Sequence, residues 1–425
     1  MRWRRQAAEL IKHPLAANAV SLYWIQIANY VLPLVTVPYL TRVLGATGWG
    51  LVAFGQSFAS YVGILAEYGF VLSATREVTR HREDREKLGE IVAGVLGAKA
   101  FLSVAGLAVA ALAAWWIPIF RQNPLLFCGA ALLAVGQAAS MIWFFLGIEQ
   151  VRMAAFLEVL GKAVGAAAIF LLVHHVGQEW RALAVQGVGA LLGAAACLVL
   201  VYRRVPVKIP TPKSVREALR MGWTMFLFRG SVTLYTTGNA FILGLFVAPR
   251  YVGYYAGAEK ISKAFLGLLN PVSQSFFPRL SHLVQHARDR AARLLRVSLG
   301  LMGTGSLALG LVVFALAPTL IRLILGPGYT EAVPVLRVLS LLIPLIAVSN
   351  VLGIQWMLPL GLDRVFNQII FAAGILNMAL AVVLAPLFAQ MGMAWAVVTS
   401  ETFVTCGLYW SIRRCGLDPI LGWRT

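Results

Sequence analysis

Long apolar runs recur along the whole sequence. Segments such as Leu15–Leu40, Leu51–Leu72 and Ile91–Ile117 carry few charges, and each reaches the roughly 20 residues that a helix needs to cross the hydrocarbon of a bilayer. Apolar residues make up 60% of the chain and charged residues 12%, whereas soluble domains are about half apolar and about a quarter charged. The sequence therefore predicts an all-α integral membrane protein.

The apolar runs and the breaks between them predict twelve transmembrane helices. Their approximate limits are 17–40, 48–72, 91–116, 124–146, 153–175, 180–202, 221–246, 251–278, 297–324, 332–358, 365–388 and 391–412. The first run follows Arg2, Arg4, Arg5 and Lys12, as the apolar part of a signal peptide would. Because it is long and further runs follow it, we interpret it as a retained first span.

Lysine and arginine are distributed unequally between the two sides of these spans. Of 36 such residues, 25 lie in the termini and the loops on the side of the termini, and 5 lie on the opposite side. Cytoplasmic loops of membrane proteins are enriched in Lys and Arg, so we expect a multi-pass protein of the bacterial inner membrane with both termini cytoplasmic. The basic residues that give the net charge of +19 then serve to set the topology and to attract anionic membrane lipids. We therefore expect no binding to nucleic acid.

A weak internal repeat relates the two halves of the chain. An offset of 203 residues places Gly50–Ala53 on Gly253–Ala256 and Gln56 on Glu259. Because six spans per half is an even number, both halves point the same way, which predicts two pseudo-symmetric six-helix bundles around a central cavity. The predicted divisions are a cytoplasmic segment 1–16, a first bundle 17–202, a cytoplasmic linker 203–220, a second bundle 221–412 and a cytoplasmic tail 413–425.

Several motifs resemble those of the Wzx-type O-antigen and polysaccharide flippases, which belong to the multidrug/oligosaccharidyl-lipid/polysaccharide exporters. They are Asn29–Leu34, Pro38–Gly45, Tyr68–Phe70, Trp143–Glu149 and Val252–Tyr255. The resemblance implies a flippase that moves undecaprenyl-pyrophosphate-linked oligosaccharides from the cytoplasmic to the periplasmic leaflet by alternating access, with no cofactor. It also implies that a polysaccharide polymerase and a chain-length regulator could be partners.

Cations within the predicted spans are candidates for binding such a substrate. A charge at the middle of a bilayer costs at least about 2.5–3.5 kcal/mol, so charged residues in spans usually face a polar interior. We expect Lys99, Arg229, Lys260 and Lys263 to line a cationic cavity that holds pyrophosphate or acidic sugar. Lys260 and Lys263 are three residues apart and so share one helical face.

Acidic and neutral polar residues in the spans form a second set of candidates. Glu67, which stands where the resembled family has an aspartate, and Glu401 could carry a coupling proton or be structural acids. Glu158 is four residues before Lys162, so mutual neutralisation of this pair is the simpler interpretation. The polar candidates for the cavity are Gln26, Asn29, Gln56, Asn239 and Asn270, although such residues also hydrogen-bond other helices.

Two other classes of function remain open from the sequence. One is a related exporter, either a lipid II flippase or a drug or cation antiporter. The other is a membrane polymerase or ligase of polysaccharide synthesis, although no loop is long enough for a soluble catalytic domain. We find no phosphate-binding Gly-Lys-Ser/Thr motif, no catalytic set and no metal-ligand spacing, and we favour a monomer.

Overall fold

The computed structural model describes the backbone of residues 14–417, and it describes the side chains in that range except those of residues 14–30, 224 and 227–236. Every regular element within these limits is helical. The chain forms two compact units. The first contains the chain up to Leu44 together with Leu51–Thr233, and the second contains Gly45–Gly50 together with the chain from Leu234.

Nine helices of the described chain form the first unit, except that Gly45–Gly50 in the first helix and the residues after Thr233 in the ninth belong to the second unit. They are α1 (Pro14–Glu67), α2 (Phe70–Arg80), α3 (Arg85–Ala114), α4 (Pro118–Gln122), α5 (Pro124–Ala138), α6 (Ile142–Gly147), α7 (Val151–Leu172), α8 (Glu179–Tyr202) and α9 (Pro212–Thr236). The boundary between the units, at Thr233 and Leu234, thus lies in α9 and beyond the predicted linker 203–220.

The second unit contains seven further α-helices and two short helices of other types among the described residues. They are α10 (Asn239–Phe246), α11 (Pro249–Gly267), α12 (Asn270–His286), α13 (Arg288–Ile324), a 3₁₀ helix (Pro327–Tyr329), α14 (Ala332–Ser340), α15 (Leu342–Asn350), a π-helix (Val351–Met357) and α16 (Asp363–Arg414).

Eight helical segments in the described chain are long and apolar enough to cross a membrane. They overlap ten of the twelve predicted spans, since Val31–Arg80 and Asp363–Arg414 each overlap two. These double segments are interrupted where the backbone leaves the helical region, at Gly45 (φ 66°) and Ala389 (φ 49°). An integral membrane protein is therefore confirmed, and the count of twelve spans remains a prediction.

The two other predicted spans are not continuous helices, which corrects the sequence analysis. The span 221–246 is divided between α9 and α10, and α10 begins after Gly238. The span 251–278 is divided between α11 and α12, with Pro271 in the first turn of α12, where the missing proline N–H costs no hydrogen bond. An apolar run does not reveal such breaks, because hydropathy is the same on both sides of them.

The predicted loop between the eighth and ninth spans is also largely helical. Arg279 lies in α12, and Arg288, Arg290, Arg293 and Arg296 lie in the first turns of α13. Ala291, Ala292 and Leu295 between them are buried, so this basic segment is amphipathic with helical periodicity. The helix therefore extends beyond the apolar run that predicted it.

Two of the motifs that suggested the family meet in the core of the first unit. Phe70, Ala74 and Val78 of α2 pack with Trp143–Phe145 of α6 in one buried cluster. The Thr75 hydroxyl donates a hydrogen bond to the Trp143 carbonyl at 2.9 Å. A Cβ atom added to Gly147 would lie 2.5 Å from Val78 Cγ1, so only glycine permits this approach of the two helices.

Substitution of Gly147 should therefore destabilise the first unit. We expect Gly147→Val to cost about 1–3 kcal/mol, as overpacking in a dense core usually does, and to lower both the melting temperature and the yield of monodisperse protein. Gly300→Ala is the matched control because no atom lies within 4 Å of the added Cβ. Equal melting temperatures for the two variants would contradict the packing explanation. Fluorescence-detected size-exclusion chromatography with a heating series measures both quantities.

Candidate functional site

A polar network in the first unit surrounds the first of the predicted cations. Lys99 on α3 is only 4% exposed, and its Nζ atom donates hydrogen bonds to the carbonyls of Ala138 (2.9 Å) and Ser140 (2.8 Å). These carbonyls lie at the carboxyl end of α5, where unpaired carbonyls and the helix dipole favour a cation. Lys99 thus bridges α3 to the end of α5, and a contact between Lys99 and substrate stays a prediction.

The acid predicted to pair along its own helix belongs to this network. Ser140 donates a short hydrogen bond from its hydroxyl to Glu158 Oε1, and Ser140 also provides a carbonyl to Lys99. Lys99, Ser140 and Glu158 therefore join α3, the end of α5 and α7. Lys162 lies one turn beyond Glu158 on α7, but Glu158 is also bound across helices, which the i,i+4 spacing alone does not reveal.

Glu67 has a structural position at the junction of α1 and α2. Its carboxylate accepts a hydrogen bond from the backbone N–H of Val71 at 2.9 Å, in the first turn of α2, where an acid satisfies otherwise unpaired N–H groups. The chain turns there through Tyr68 (φ 49°) and Gly69 (φ 75°). The Tyr68 ring stacks on Phe226 with ring centroids 4.8 Å apart. This hydrogen bond to the first turn of α2 gives a structural reason for a carboxylate directly before the Tyr68–Gly69 pair.

Of the polar residues predicted to line the cavity in the first unit, the structure describes the side chain of Gln56. The Gln56 amide donates to Gln186 Oε1 at 2.9 Å, so this pair connects α1 to α8. The side chains of Gln26, Asn29 and Arg229 lie outside the described residues, and their roles stay predictions.

A polar chain in the second unit runs along one face of α11. Asn239 at the start of α10 hydrogen-bonds the buried Tyr255 hydroxyl, and that hydroxyl lies 3.3 Å from Glu259 Oε1. Lys263 Nζ forms an ion pair with the same Glu259 oxygen at 3.1 Å. Tyr255, Glu259 and Lys263 are each four residues apart, so they occupy successive turns of one helical face.

The charge balance of α11 is positive. Lys260 and Lys263 are separated by one turn, and Glu259 interacts electrostatically with both of them. The Lys263 side chain is 40% exposed and that of Glu259 is 15% exposed, so the ammonium can reach a ligand while the carboxylate holds it in place. Both lysines were predicted from the sequence as site residues, whereas Tyr255 and Glu259 were not, although their i,i+4 spacing is present in the sequence.

The remaining predicted acid lies in a buried hydrogen bond of the second unit. Glu401 on α16 is 6% exposed and accepts a 2.7 Å hydrogen bond from the Ser349 hydroxyl on α15. A single hydroxyl donor can bond either the charged or the protonated form of a carboxyl group. This environment is compatible with both predicted roles of Glu401, as a carrier of a coupling proton or as a structural acid. Asn270 is the first residue of α12, next to the break from α11.

A further buried hub in this unit was not predicted. Gln355 in the π-helix accepts from Ser298 Oγ at 2.7 Å and donates to Ser273 Oγ at 3.1 Å. These bonds connect the π-helix to α13 and α12. Short π-helices occur frequently at functional sites, but hydropathy analysis cannot detect them.

Comparison with known proteins places this arrangement in a family. Residues 15–284 match the family described as "Polysaccharide biosynthesis protein". The chain belongs to the polysaccharide biosynthesis protein family. Within it, this member is 31% identical over 383 residues to the "Putative O-antigen transporter" of Escherichia coli strain K12, with 90% of this chain and 92% of the relative covered. It is 26% identical to the protein of the same description from Shigella dysenteriae, over 88% of this chain and 94% of that one.

Solved structures of transporters share the fold of this family member. The structure of "Lipid II flippase MurJ, inward closed conformation" matches with a TM-score of 0.71 at 11% identity, over 93% of this chain and 87% of that chain. An inward-facing MATE family multidrug resistance transporter of the MOP superfamily matches with a TM-score of 0.64 at 14% identity, over 90% and 94%. At these identities the likeness concerns the fold alone. It confirms the predicted class of transporter fold.

Proposed function

We propose that the protein is a flippase for undecaprenyl-pyrophosphate-linked oligosaccharide repeat units, moving them from the cytoplasmic to the periplasmic leaflet of the bacterial inner membrane by alternating access. The observation that carries this proposal is the 31% identity to a protein described as an O-antigen transporter, because the match covers 90% of this chain and 92% of that relative. A match of such extent covers most of the helices and not one shared segment.

The physical problem of the substrate fits the residues described above. Sugar hydroxyls and phosphates lose hydration in hydrocarbon, at a cost of several kcal/mol for each unsatisfied group. A protein that moves them needs cations for the phosphates and hydrogen-bonding groups for the sugars inside an apolar helical shell. In the second unit, the proposed phosphate-binding cations are Lys260 and Lys263, which lie beside Glu259. In the first unit, the proposed cations are Lys99 and Arg229.

The source of energy and the partners belong to the proposal as well. Glu401 is the acid best placed to carry a coupling proton, because it is buried and bound by a single hydroxyl donor. A polysaccharide polymerase and a chain-length regulator are the proposed partners, and both termini are proposed to be cytoplasmic. The proposal makes the protein a transporter and not an enzyme.

Complementation tests this function directly. In a strain that lacks its O-antigen transporter, expression of this chain should restore surface polymer, detected as a ladder on a gel of extracted lipopolysaccharide. A strain depleted of its lipid II flippase supplies the comparison, since a solved lipid II flippase shares the fold. Growth rescue of the second strain without polymer in the first would replace the proposal with a lipid II flippase. Membrane abundance of the expressed chain must be equal in both strains.

A further inference from the structure

The connection between α8 and α9 lies against a glycine-rich face of α3. A Cβ atom added to Gly89 would be 2.8 Å from the Pro206 carbonyl oxygen, and one added to Gly97 would be 2.7 Å from Pro210 Cβ. Gly97 follows Ile91, where the apolar part of α3 begins, by six residues, or about 9 Å along the helix axis at 1.5 Å per residue. This connection therefore reaches the depth at which α3 enters the hydrocarbon.

Backbone outside regular helices is tolerated at this depth only where protein buries it or where it lines a cavity. A cavity of about 540 Å³ lies beneath the connection, between the end of α2, the start of α3 and the start of α9. Its volume is within the usual range of ligand-binding sites, about 300–1,000 Å³. All the residues that line it belong to the first unit.

The cavity wall is amphipathic. Its apolar part includes Ile91 of α3, Ile209 of the connection and Met221 of α9. Its ionic part contains three lysines and three glutamates. They are Glu77, Lys87, Glu90, Lys208, Lys213 and Glu217. Equal numbers of both charges disfavour a strongly anionic or strongly cationic ligand.

Some of these charges fix the connection in place. Lys208 Nζ forms ion pairs with Glu86 at 2.7 Å and with Glu90 at 3.3 Å, and Lys87 pairs with Glu90 at 3.1 Å. The hydrogen bond to Glu86 raises the pKa of Lys208 above its ordinary value, so the lysine stays charged at neutral pH. The connection is therefore held on α3 by charges that are already paired.

Two exposed charges of opposite sign are available to a ligand, although one of them, Glu217, also attracts Lys87 at longer range. Lys213 and Glu217 are one turn apart on α9, a spacing that normally permits pairing, yet neither forms an ion pair within the described part of the chain. Both line the cavity. A ligand with a phosphate and a primary ammonium a few ångströms apart would satisfy both, and apolar chains on that ligand would contact the wall formed by Ile91, Ile209 and Met221.

We propose that this cavity binds the headgroup of an aminophospholipid of the phosphatidylethanolamine type, with its phosphate at Lys213 and its ammonium at Glu217. A phosphatidylglycerol headgroup has hydroxyl donors but no cation, so it would leave the charge of Glu217 uncompensated and add a net negative charge to the site. A phosphatidylcholine headgroup has no N–H to donate to Glu217. The site is a resident lipid site, and it does not depend on what the protein transports.

Native mass spectrometry of the purified full chain tests this proposal. The protein is titrated with synthetic phosphatidylethanolamine, phosphatidylglycerol or phosphatidylcholine of identical acyl chains. We expect the first bound phosphatidylethanolamine to be retained about tenfold better than either of the other lipids, the size of effect that one charge-assisted hydrogen bond supplies. The double variant Lys213→Gln with Glu217→Gln should lose this preference.

The control is a double variant with the same change in charge outside the cavity, Arg216→Gln with Glu83→Gln, both exposed and neither lining the cavity. It should keep the preference of the unaltered protein. Equal elution volume and melting temperature for all three proteins exclude unfolding as the cause of a loss. Preferential retention of phosphatidylglycerol, or an unchanged preference in the Lys213/Glu217 variant, would overturn the assignment.

Discussion

Neutralising the α11 charge cluster should stop transport while leaving the protein folded. The variant combines Lys260→Gln, Lys263→Gln and Glu259→Gln, and so removes the ion pair of Glu259 with Lys263 together with the charge of Lys260. A glutamine at position 259 can still accept the hydrogen bond from Tyr255. Because Lys263 and its ion-pair partner Glu259 are neutralised together, the large destabilisation that follows the loss of one partner of a pair is avoided.

The expected loss follows from the strength of phosphate contacts. Hydrogen bonds to charged groups contribute about 1.5–3 kcal/mol each, so removing two ammonium contacts should slow translocation by on the order of 100-fold or more. Surface polymer in the complemented strain gives the first measurement. Translocation of a fluorescent lipid-linked oligosaccharide in proteoliposomes gives the second, and it is independent of the polymerase.

A matched control removes equivalent charges elsewhere on the second unit. Arg290→Gln, Arg293→Gln and Asp289→Asn neutralise two cations and one acid on the exposed part of α13, and transport by this variant should stay within about threefold of the unaltered protein, as expected for exposed charges. If the α11 triple variant transported at the normal rate with normal abundance, the cluster would be a structural ion network and the substrate phosphate would have to bind elsewhere.

The class of fold could be predicted from the sequence because hydropathy acts over whole segments. Runs such as Ile91–Ile117 are apolar over the length of a membrane-crossing helix. The structure has one continuous helix, α3, over most of this run. The positions of helix breaks depend on single residues instead. The breaks next to Gly238 and at Leu268 and Leu269 interrupt apolar runs without changing their mean hydropathy, so the two divided spans were predicted as continuous.

The candidate site could be predicted only where its chemistry is local. Lys260 and Lys263 stand out as charges within an apolar run, and the spacing of Tyr255, Glu259 and Lys263 shows which face they share. The partners of Lys99 are 39 and 41 residues away in sequence. These partners accept through their backbone carbonyls. Because every residue has a backbone carbonyl, no pattern of side chains in the sequence indicates which ones bind Lys99.

The environment of Lys99 leads to the largest expected effect on stability. Lys99→Met keeps the length and apolar stem of the side chain but removes the ammonium. The carbonyls of Ala138 and Ser140 would then lack their donor, and the nearby carboxylates of Glu67 and Glu158 would lose the cation that acts on them electrostatically. A buried acceptor left without its donor costs about 1–3 kcal/mol, and the lost attraction for two half-buried carboxylates adds to this, so we expect a sharp fall in the yield of monodisperse protein.

A second substitution separates this structural role from substrate binding. Glu158→Gln removes the carboxylate while retaining an acceptor for the Ser140 hydroxyl, so the double variant Lys99→Met with Glu158→Gln should recover most of the lost yield and melting temperature. Lys87→Met is the control, since that lysine is 42% exposed and an exposed ion pair contributes about 0–1 kcal/mol. A Lys99→Met protein as stable as the Lys87→Met protein would refute the structural role. Transport by the double variant then shows whether Lys99 also binds phosphate. If Lys99 only joins helices, the double variant should transport normally. If Lys99 also binds phosphate, transport should stay impaired although the protein is stable.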